Sequence, residues 1–352
     1  MIKINFLPPK KKKILIFDRN FDSGSFFKLF NKKECSILDV RYESINIFIL
    51  LLVFFKSFFK DIKKKYLIEY IKFVSPKIVV TFIDNNFFFY ELKNFYTLPI
   101  YIAFQNGRRG KEFYFLLKKN KKKNLCADYI FVLGDLYKRK LLSYIKSKII
   151  SIGSLKNNFF VKKQKKLKIK SIVFISQLKF KNIASFKNDI SRVELPLLIF
   201  LSNYCLKKKI KLFFFPNQNF ENYKEISCIK KLIEENAVIL KRKKNIIKQL
   251  EKYNLFICQD STLGYELLAR KKRVIFFPSI DRSEKYKYGY PEKLKNEGFF
   301  WYNYYDEKIF FKIICNVVKI NEIKWKKKIK NFNFFNFDKN NSKVKSILKN
   351  VC

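Results

Sequence analysis

The segment from Tyr253 to Ser279, YNLFICQDSTLGYELLARKKRVIFFPS, constrains the fold more than any other stretch of the chain. Leu255-Phe256-Ile257-Cys258 is an apolar run of strand length, and Gln259-Asp260-Ser261-Thr262 supplies polar, helix-starting residues. Leu263 to Arg270 predicts about two turns of helix, and Arg273 to Phe277 a second buried strand. Strand, polar turn, short helix and strand form one βαβ unit, which commits the chain to a parallel sheet. Ligands of such sheets bind beyond the carboxyl ends of the strands, where Asp260, Ser261 and Thr262 fall. A helix N-terminus there offers unpaired N–H groups and the positive end of a dipole, which suits a phosphate. Glu266, one turn further on, could accept hydrogen bonds from a ribose or sugar hydroxyl. Asp-Ser-Thr before an apolar run also fits a plain N-cap, so both readings stand at this point.

The same alternation runs through the rest of the chain. Strands are predicted at Lys13–Arg19, Cys35–Val40, Lys77–Asp84, Pro99–Phe104, Asp128–Leu133 and Lys148–Ser154. Helical stretches separate them: Phe26–Phe30, Ile45–Phe55 continuing to Phe73, Phe87–Phe95, Lys111–Leu117 and Asp135–Lys146. Ile45–Phe55 is the most hydrophobic of these, but a membrane span needs about 20 residues, so a core helix is expected ahead of a re-entrant or interfacial segment, with Phe58-Phe59 beyond Lys56 leaving a monotopic contact open. Phe159–Lys170 is lysine-rich without apolar periodicity and reads as a linker. Beyond it, strands at Ser171–Ser176, Lys211–Phe215 and Ala237–Leu240 lead into the 253–279 segment. Helices are expected at Asp189–Leu206, with Pro196 marking a kink or late start, and at Glu221–Glu235 and Lys244–Tyr253. Phe299–Tyr302 reads as a last strand and Glu307–Ile320 as a helix.

The expected class is therefore α/β, with two Rossmann-like parallel-sheet domains facing a cleft. Residues 1–158 form the first, 159–170 the linker and 171–330 the second. Residues 331–352 read as a basic, low-complexity tail of weaker order.

Composition narrows the chemistry. Lys+Arg number 76 against 29 Asp+Glu, a formal net charge of +47. The lysines are spread along the chain beside an excess of Phe, Ile, Asn and Tyr, residues that share A/T-rich codons, so the charge is not read as a nucleic-acid footprint. No RRM aromatic motif, zinc finger or basic-region heptad occurs, and no nucleic-acid partner is expected. Attraction to an anionic membrane leaflet survives this discount. The chain has no histidine, which excludes His-dependent acid–base pairs, Ser-His-Asp triads and His metal sites. Its seven cysteines include no C-x-x-C pair, so neither a zinc site nor a disulfide framework is signalled. Reduced thiols in a cytoplasmic protein are expected. The MIKINFLPPKKKK start has too little apolar length for a signal peptide.

DSTLGYELLARKKRVIFF, residues 260–277, resembles the donor-site segment of GT-B glycosyltransferases, in particular bacterial surface-carbohydrate proteins of O-antigen and capsule synthesis. It is distantly similar to CDP-glycerol glycerophosphotransferases. TFIDNN and FQNGRRG in the first domain are similar to the corresponding segments of the same proteins. The resemblance implies nucleotide-diphosphate recognition at Ser261 and Thr262, next to Asp260, and at Glu266 in several branches. It implies a transferase using a nucleotide sugar as co-substrate, with no further cofactor, and a glycan or lipid-linked acceptor on the first domain. One departure stands out. The glycerophosphotransferases have a His-Gly pair where this chain has Gln105-Asn106-Gly107, so the base of that branch is missing.

Asp84, at a strand end, is then the acid–base candidate, although it also fits an Asx cap for the helix near Phe87. Arg108 and Arg109, bracketed by Gly107 and Gly110, could clamp an anionic group with Gln105 and Asn106. Arg19 and Ser25 could bind an acceptor, and Lys285 to Tyr288 could stack on a nucleotide. No metal is required, because a helix dipole and cationic side chains can stabilise a departing diphosphate. Two rivals remain: a nucleotide-sugar epimerase, and a non-catalytic basic protein on a membrane or nucleic acid. The protein is expected in the cytoplasm, peripheral to the inner face of the membrane.

Overall fold

The computed structural model describes residues 2–19, 21, 23–41, 43–56, 61–159, 169–177, 194–217, 237–243, 245–278, 296–332 and 334–351. The chain divides into two compact units, Met1–Val161 with Phe334–Cys352, and Lys162–Asn333.

The strands of the first unit are β1 (Lys3–Asn5), β2 (Ile14–Phe17), β3 (Cys35–Leu38), β4 (Ser44–Asn46), β5 (Ile78–Thr81), β6 (Ile100–Phe104), β7 (Cys126–Val132) and β8 (Lys146–Ser151). Six of them form one sheet in the order β3-β2-β5-β6-β7-β8, and every pairing is parallel. All four residues of β2 and of β5 are buried, the signature of strands covered on both faces. The register sets Phe17 beside Thr81 and Thr81 beside Ala103, so the polar ends of these strands come out at one edge. β1 and β4 form a separate two-stranded parallel ribbon.

Two expectations for this unit are corrected. The Ile47–Lys56 helix buries only Ile49 and Val53, so it is not a core helix; β4 takes up residues 44–46 and holds it at the surface. The C-terminal segment is likewise not a loose tail. Its Ser342–Val351 helix places Val344 and Leu348 in the same core cluster as Ile14, Ile78 and Phe104. The Asn336 amide donates to the Leu133 carbonyl at 2.7 Å, and Gly153 bridges Phe337. Asn158 Nδ2 donates to Asn341 Oδ1 at 2.8 Å, while Asn341 Nδ2 donates to the Leu155 carbonyl at 2.9 Å. A low-complexity composition did not prevent packing, because much of the docking is backbone to backbone and buried amide to amide.

The second unit is built from β9 (Ser171–Ile175), β10 (Lys211–Phe215), β11 (Ala237–Ile239), β12 (Leu255–Cys258), β13 (Arg273–Phe276), β14 (Glu297–Gly298) and β15 (Trp301–Tyr302). Their order is β11-β10-β9-β12-β13-β15-β14. All pairs are parallel except the short β14–β15 pair at the edge, where two residues of each strand meet antiparallel. The order reverses between β9 and β12, so the segments leaving their carboxyl ends diverge there. The Leu195–Lys207 helix starts late, with Pro196 in its first turn, where a missing N–H costs nothing. The predicted Glu221–Glu235 helix, residues 160–168 of the linker, Phe58-Phe59 and Lys285 to Tyr288 lie outside the described residues.

Candidate functional site

In the second unit the polar ends of three neighbouring strands are tied together. The Ser176 amide donates to the Phe215 carbonyl at 3.0 Å, and the Asp260 amide donates to Gln177 Oε1 at 2.8 Å. Asn217 Nδ2 donates to the Gln177 carbonyl at 2.9 Å, and the Gln177 amide donates to Glu194 Oε1 at 2.8 Å. Gln177 thus fixes the turn that leaves β12 against the end of β9. Arg242 donates to the carbonyls of Pro216 and Asn217 and lies over the Phe215 ring. Burial lowers its pKa from the usual arginine value, so an anion beside it would restore what desolvation takes away. Gln177, Asn217 and Arg242 escaped the sequence reading, since each is only a polar residue near a strand end.

The Thr262–Ala269 helix starts at Ser261, which has the extended backbone of an N-cap (φ −75°, ψ 131°), yet its side chain makes no cap hydrogen bond. Elsewhere Asn86, Asn245, Asp306 and Asn321 all cap their helices through side-chain oxygens. The Asp260 carboxylate accepts from Tyr265 Oη at 3.0 Å. Glu266 is buried; burial lowers the pKa of Arg270, and the charges of Glu251 and, less strongly, Glu266 oppose that.

Gly264 explains how this helix lies so close to the sheet: a Cβ there would overlap Cys258 Sγ and press on the Phe276 ring. Gly264→Ala is expected to lower stability by about 1–3 kcal/mol through overpacking, in spite of alanine's better helix propensity. Cys258→Ala in the same chain should recover part of that loss in urea unfolding.

In the first unit, Asp84, Asn106 and Arg109 come together. Asp84 is 2% exposed, receives Arg109 Nε on Oδ2 at 2.8 Å and the Asn106 amide on Oδ1 at 3.2 Å, and is also bonded by Arg109 Nη2. Burial pushes the Asp84 carboxyl above the usual carboxylate range, against the pull of Arg109, whose own charge the carboxylate secures. Asn86, not Asp84, caps the Phe87–Leu92 helix, accepting from the Phe88 amide at 3.2 Å. Gln105 is committed to the scaffold, donating to the Gly107 carbonyl at 2.9 Å and accepting from the Leu133 amide at 3.0 Å. Arg108 is half-buried beside this network. Arg19 is paired bidentately with buried Asp39 at 2.9 and 2.7 Å, and Ser25 is buried in the Ser23–Phe26 helix. Asp18, with φ +81°, accepts from Arg41 Nε at 2.8 Å. This second carboxylate–guanidinium pair at the ends of β2 and β3 left no signal in the sequence.

A family model described as "putative O-antigen biosynthesis protein" matches residues 102–352. The chain belongs to this family. No curated protein matches it. Among solved structures, a glycosyltransferase from Rickettsia africae ESF-5 is 14% identical, with 97% of this chain and 98% of that one covered and a TM-score of 0.50. The wall teichoic acid polymerase TagF is 11% identical over 97% and 89% of the two chains, with a TM-score of 0.53. A UDP-GlcNAc 2-epimerase from Neisseria meningitidis bound to UDP-GlcNAc is 10% identical over 96% and 99%, with a TM-score of 0.55. At such identities the likeness is one of fold. It agrees with the parallel sheets described above, and the fold is that of GT-B proteins with two Rossmann-like domains.

Proposed function

We propose that this member of the O-antigen biosynthesis family is a GT-B glycosyltransferase that moves a sugar, or a related group, from a nucleotide-activated donor to a glycan or lipid-linked acceptor. The observation that carries the reading is the start of the Thr262–Ala269 helix. Ser261 occupies the N-cap position but its side chain makes no cap hydrogen bond, which supports a role for its hydroxyl toward a diphosphate at the end of β12, where the helix dipole favours an anion. Thr262 adds a second hydroxyl, Arg242 a nearby cation and Glu266 a carboxylate for the ribose or sugar. The acceptor hydroxyl oxygen attacks the carbon bearing the diphosphate, its proton passes to the departing phosphate oxygen or to water, and the bond from that carbon to the phosphate oxygen breaks with its electron pair leaving on the nucleotide. The helix end and Arg242 stabilise that charge, so the reaction needs no metal and no cofactor beyond the donor. Arg108, Arg109, Asn106, Arg19 and Ser25 provide the acceptor side, and Asp84 acts by holding Arg109 and the 105–109 turn. An epimerase reading finds no acid–base histidine in the chain.

Among the described residues no helix is long and apolar enough to cross a membrane. We place the enzyme in the cytoplasm, attached peripherally to the anionic inner face, because +47 on a family member that works on surface glycans favours that leaflet.

Ser261→Ala and Thr262→Ala are each expected to weaken nucleotide-sugar binding by about 1.5–3 kcal/mol, the worth of a hydrogen bond to a charged group. Ser261→Ala should leave the melting temperature in place, since no helix cap is lost. Glu266→Gln should weaken nucleotide sugars more than inorganic diphosphate. Calorimetric titration with a panel of nucleotide sugars decides it, and unchanged affinity in all three variants would refute the donor site.

A further inference from the structure

The Ile47–Lys56 helix, IFILLLVFFK, carries no charged side chain before Lys56. A helix apolar all round belongs in a core or against lipid. Here Ile49 and Val53, one turn apart, face inward, while Leu51, Phe54 and Phe55 are 49%, 44% and 87% exposed. The β1–β4 ribbon extends the same surface. Ile4 and Phe6, two residues apart along β1 and just beyond it, are 55% and 72% exposed, and Leu7 is 80% exposed. Asn46 Nδ2 donates to the Leu7 carbonyl at 2.8 Å, which fastens this strand end to the start of the helix. Six large apolar side chains on the helix and on β1 with its continuation are a patch, not scattered exposure.

The surroundings choose the occupant. Residues 1–13 contain five lysines and no acidic residue, and Lys3, Lys10 and Lys11 are exposed. Lys56 closes the helix, paired with Glu69 at 2.8 Å. A second copy of a chain with net charge +47 would bring like charge against like. An anionic bilayer offers the complement of both features: phosphates for the lysines, and an acyl boundary for the phenylalanines. Lysine stems can lie along the apolar patch while their ammonium groups reach the headgroups.

We propose that β1 and its continuation to Leu7, together with the outer face of the Ile47–Lys56 helix, form the surface that docks on anionic lipid. The helix lies in the plane of the interface with Phe54 and Phe55 below the headgroups. This rests on the peripheral attachment inferred above and assigns it to named residues. It also predicts a form of binding that charge alone does not give, because the apolar part persists when salt screens the lysines.

The test is flotation of the full chain with phosphatidylcholine vesicles containing or lacking phosphatidylglycerol, at low and high salt. Wild type is expected to bind the anionic vesicles, more weakly but measurably at high salt. The double variant Phe6→Glu, Phe55→Glu changes two exposed side chains, so its melting curve and nucleotide affinity should match wild type. Its vesicle binding should fall about 30-fold or more at both salts, from the lost apolar transfer. Lys10→Glu, Lys11→Glu should lose binding chiefly at low salt. If the phenylalanine variant floats like wild type, the patch is not the docking surface and attachment is purely electrostatic. Failure of wild type to bind any vesicle overturns the attachment itself. If light scattering finds wild type dimeric and the phenylalanine variant monomeric, a second copy covers this face and the lipid assignment is wrong.

Discussion

Gly153→Ala is expected to destabilise the first unit by about 3–5 kcal/mol, combining a left-handed backbone penalty with overpacking. Gly153 has φ +84°, and a Cβ there would overlap the Asn336 carbonyl. Gly134 is in the same position on the neighbouring strand end, where a Cβ would overlap the Phe334 carbonyl. These two glycines let residues 334–337 lie directly on the ends of β7 and β8. Neither overlap can be relieved by turning a side chain, since the obstructing atoms are backbone. The variant should unfold at lower urea, and limited proteolysis should release the C-terminal segment early. Gly110→Ala is the control: a Cβ there meets nothing within 4 Å, and the change should stay within about 1 kcal/mol.

Those glycines also mark where the sequence stops being informative. The parallel sheets were legible because runs such as KILIFDR and KIVVTFID are apolar on both faces, and only strands covered on both sides tolerate that. The βαβ unit at 253–279 appeared as β12, the Thr262–Ala269 helix and β13. The return of residues 334–351 to the first unit was not legible. It depends on main-chain contact with Gly134 and Gly153 and on the Asn158–Asn341 pair, separated by 183 positions, none of which produces a periodic pattern.

The site divides in the same way. Asp260 to Glu266 could be picked out because a strand, a polar turn and a helix are consecutive in the chain. Gln177, Asn217 and Arg242 could not, because their meaning depends on β9 lying between β10 and β12, a neighbourhood the sheet creates. The Asp84–Arg109 pair was half visible. Both residues were singled out, but for separate tasks, and their mutual engagement follows from β5 and β6 being adjacent in register.

That pair gives the second large effect. Arg109→Ala should cost about 3–5 kcal/mol near neutral pH, because it leaves a buried carboxylate without its counter-charge. The loss should depend on pH, and the sign is fixed by burial. Asp84 is already pushed above its ordinary value by desolvation, and removing Arg109, which pulls it down, raises it further. A group whose folded pKa exceeds its unfolded one binds more protons in the folded state, so stability falls as pH rises through that range. The variant should therefore be closest to wild type in mild acid, where Asp84 takes up a proton, and fall away toward alkaline pH by about 1.4 kcal/mol per unit of added shift. Asp84→Asn in the Arg109→Ala background removes the titrating group and should flatten the profile while recovering stability at high pH. Urea unfolding of wild type and the two variants across pH measures this directly. A pH-independent loss in Arg109→Ala would mean that Asp84 reaches solvent once the guanidinium is gone, and that the 105–109 turn, rather than the charge pair, keeps it buried.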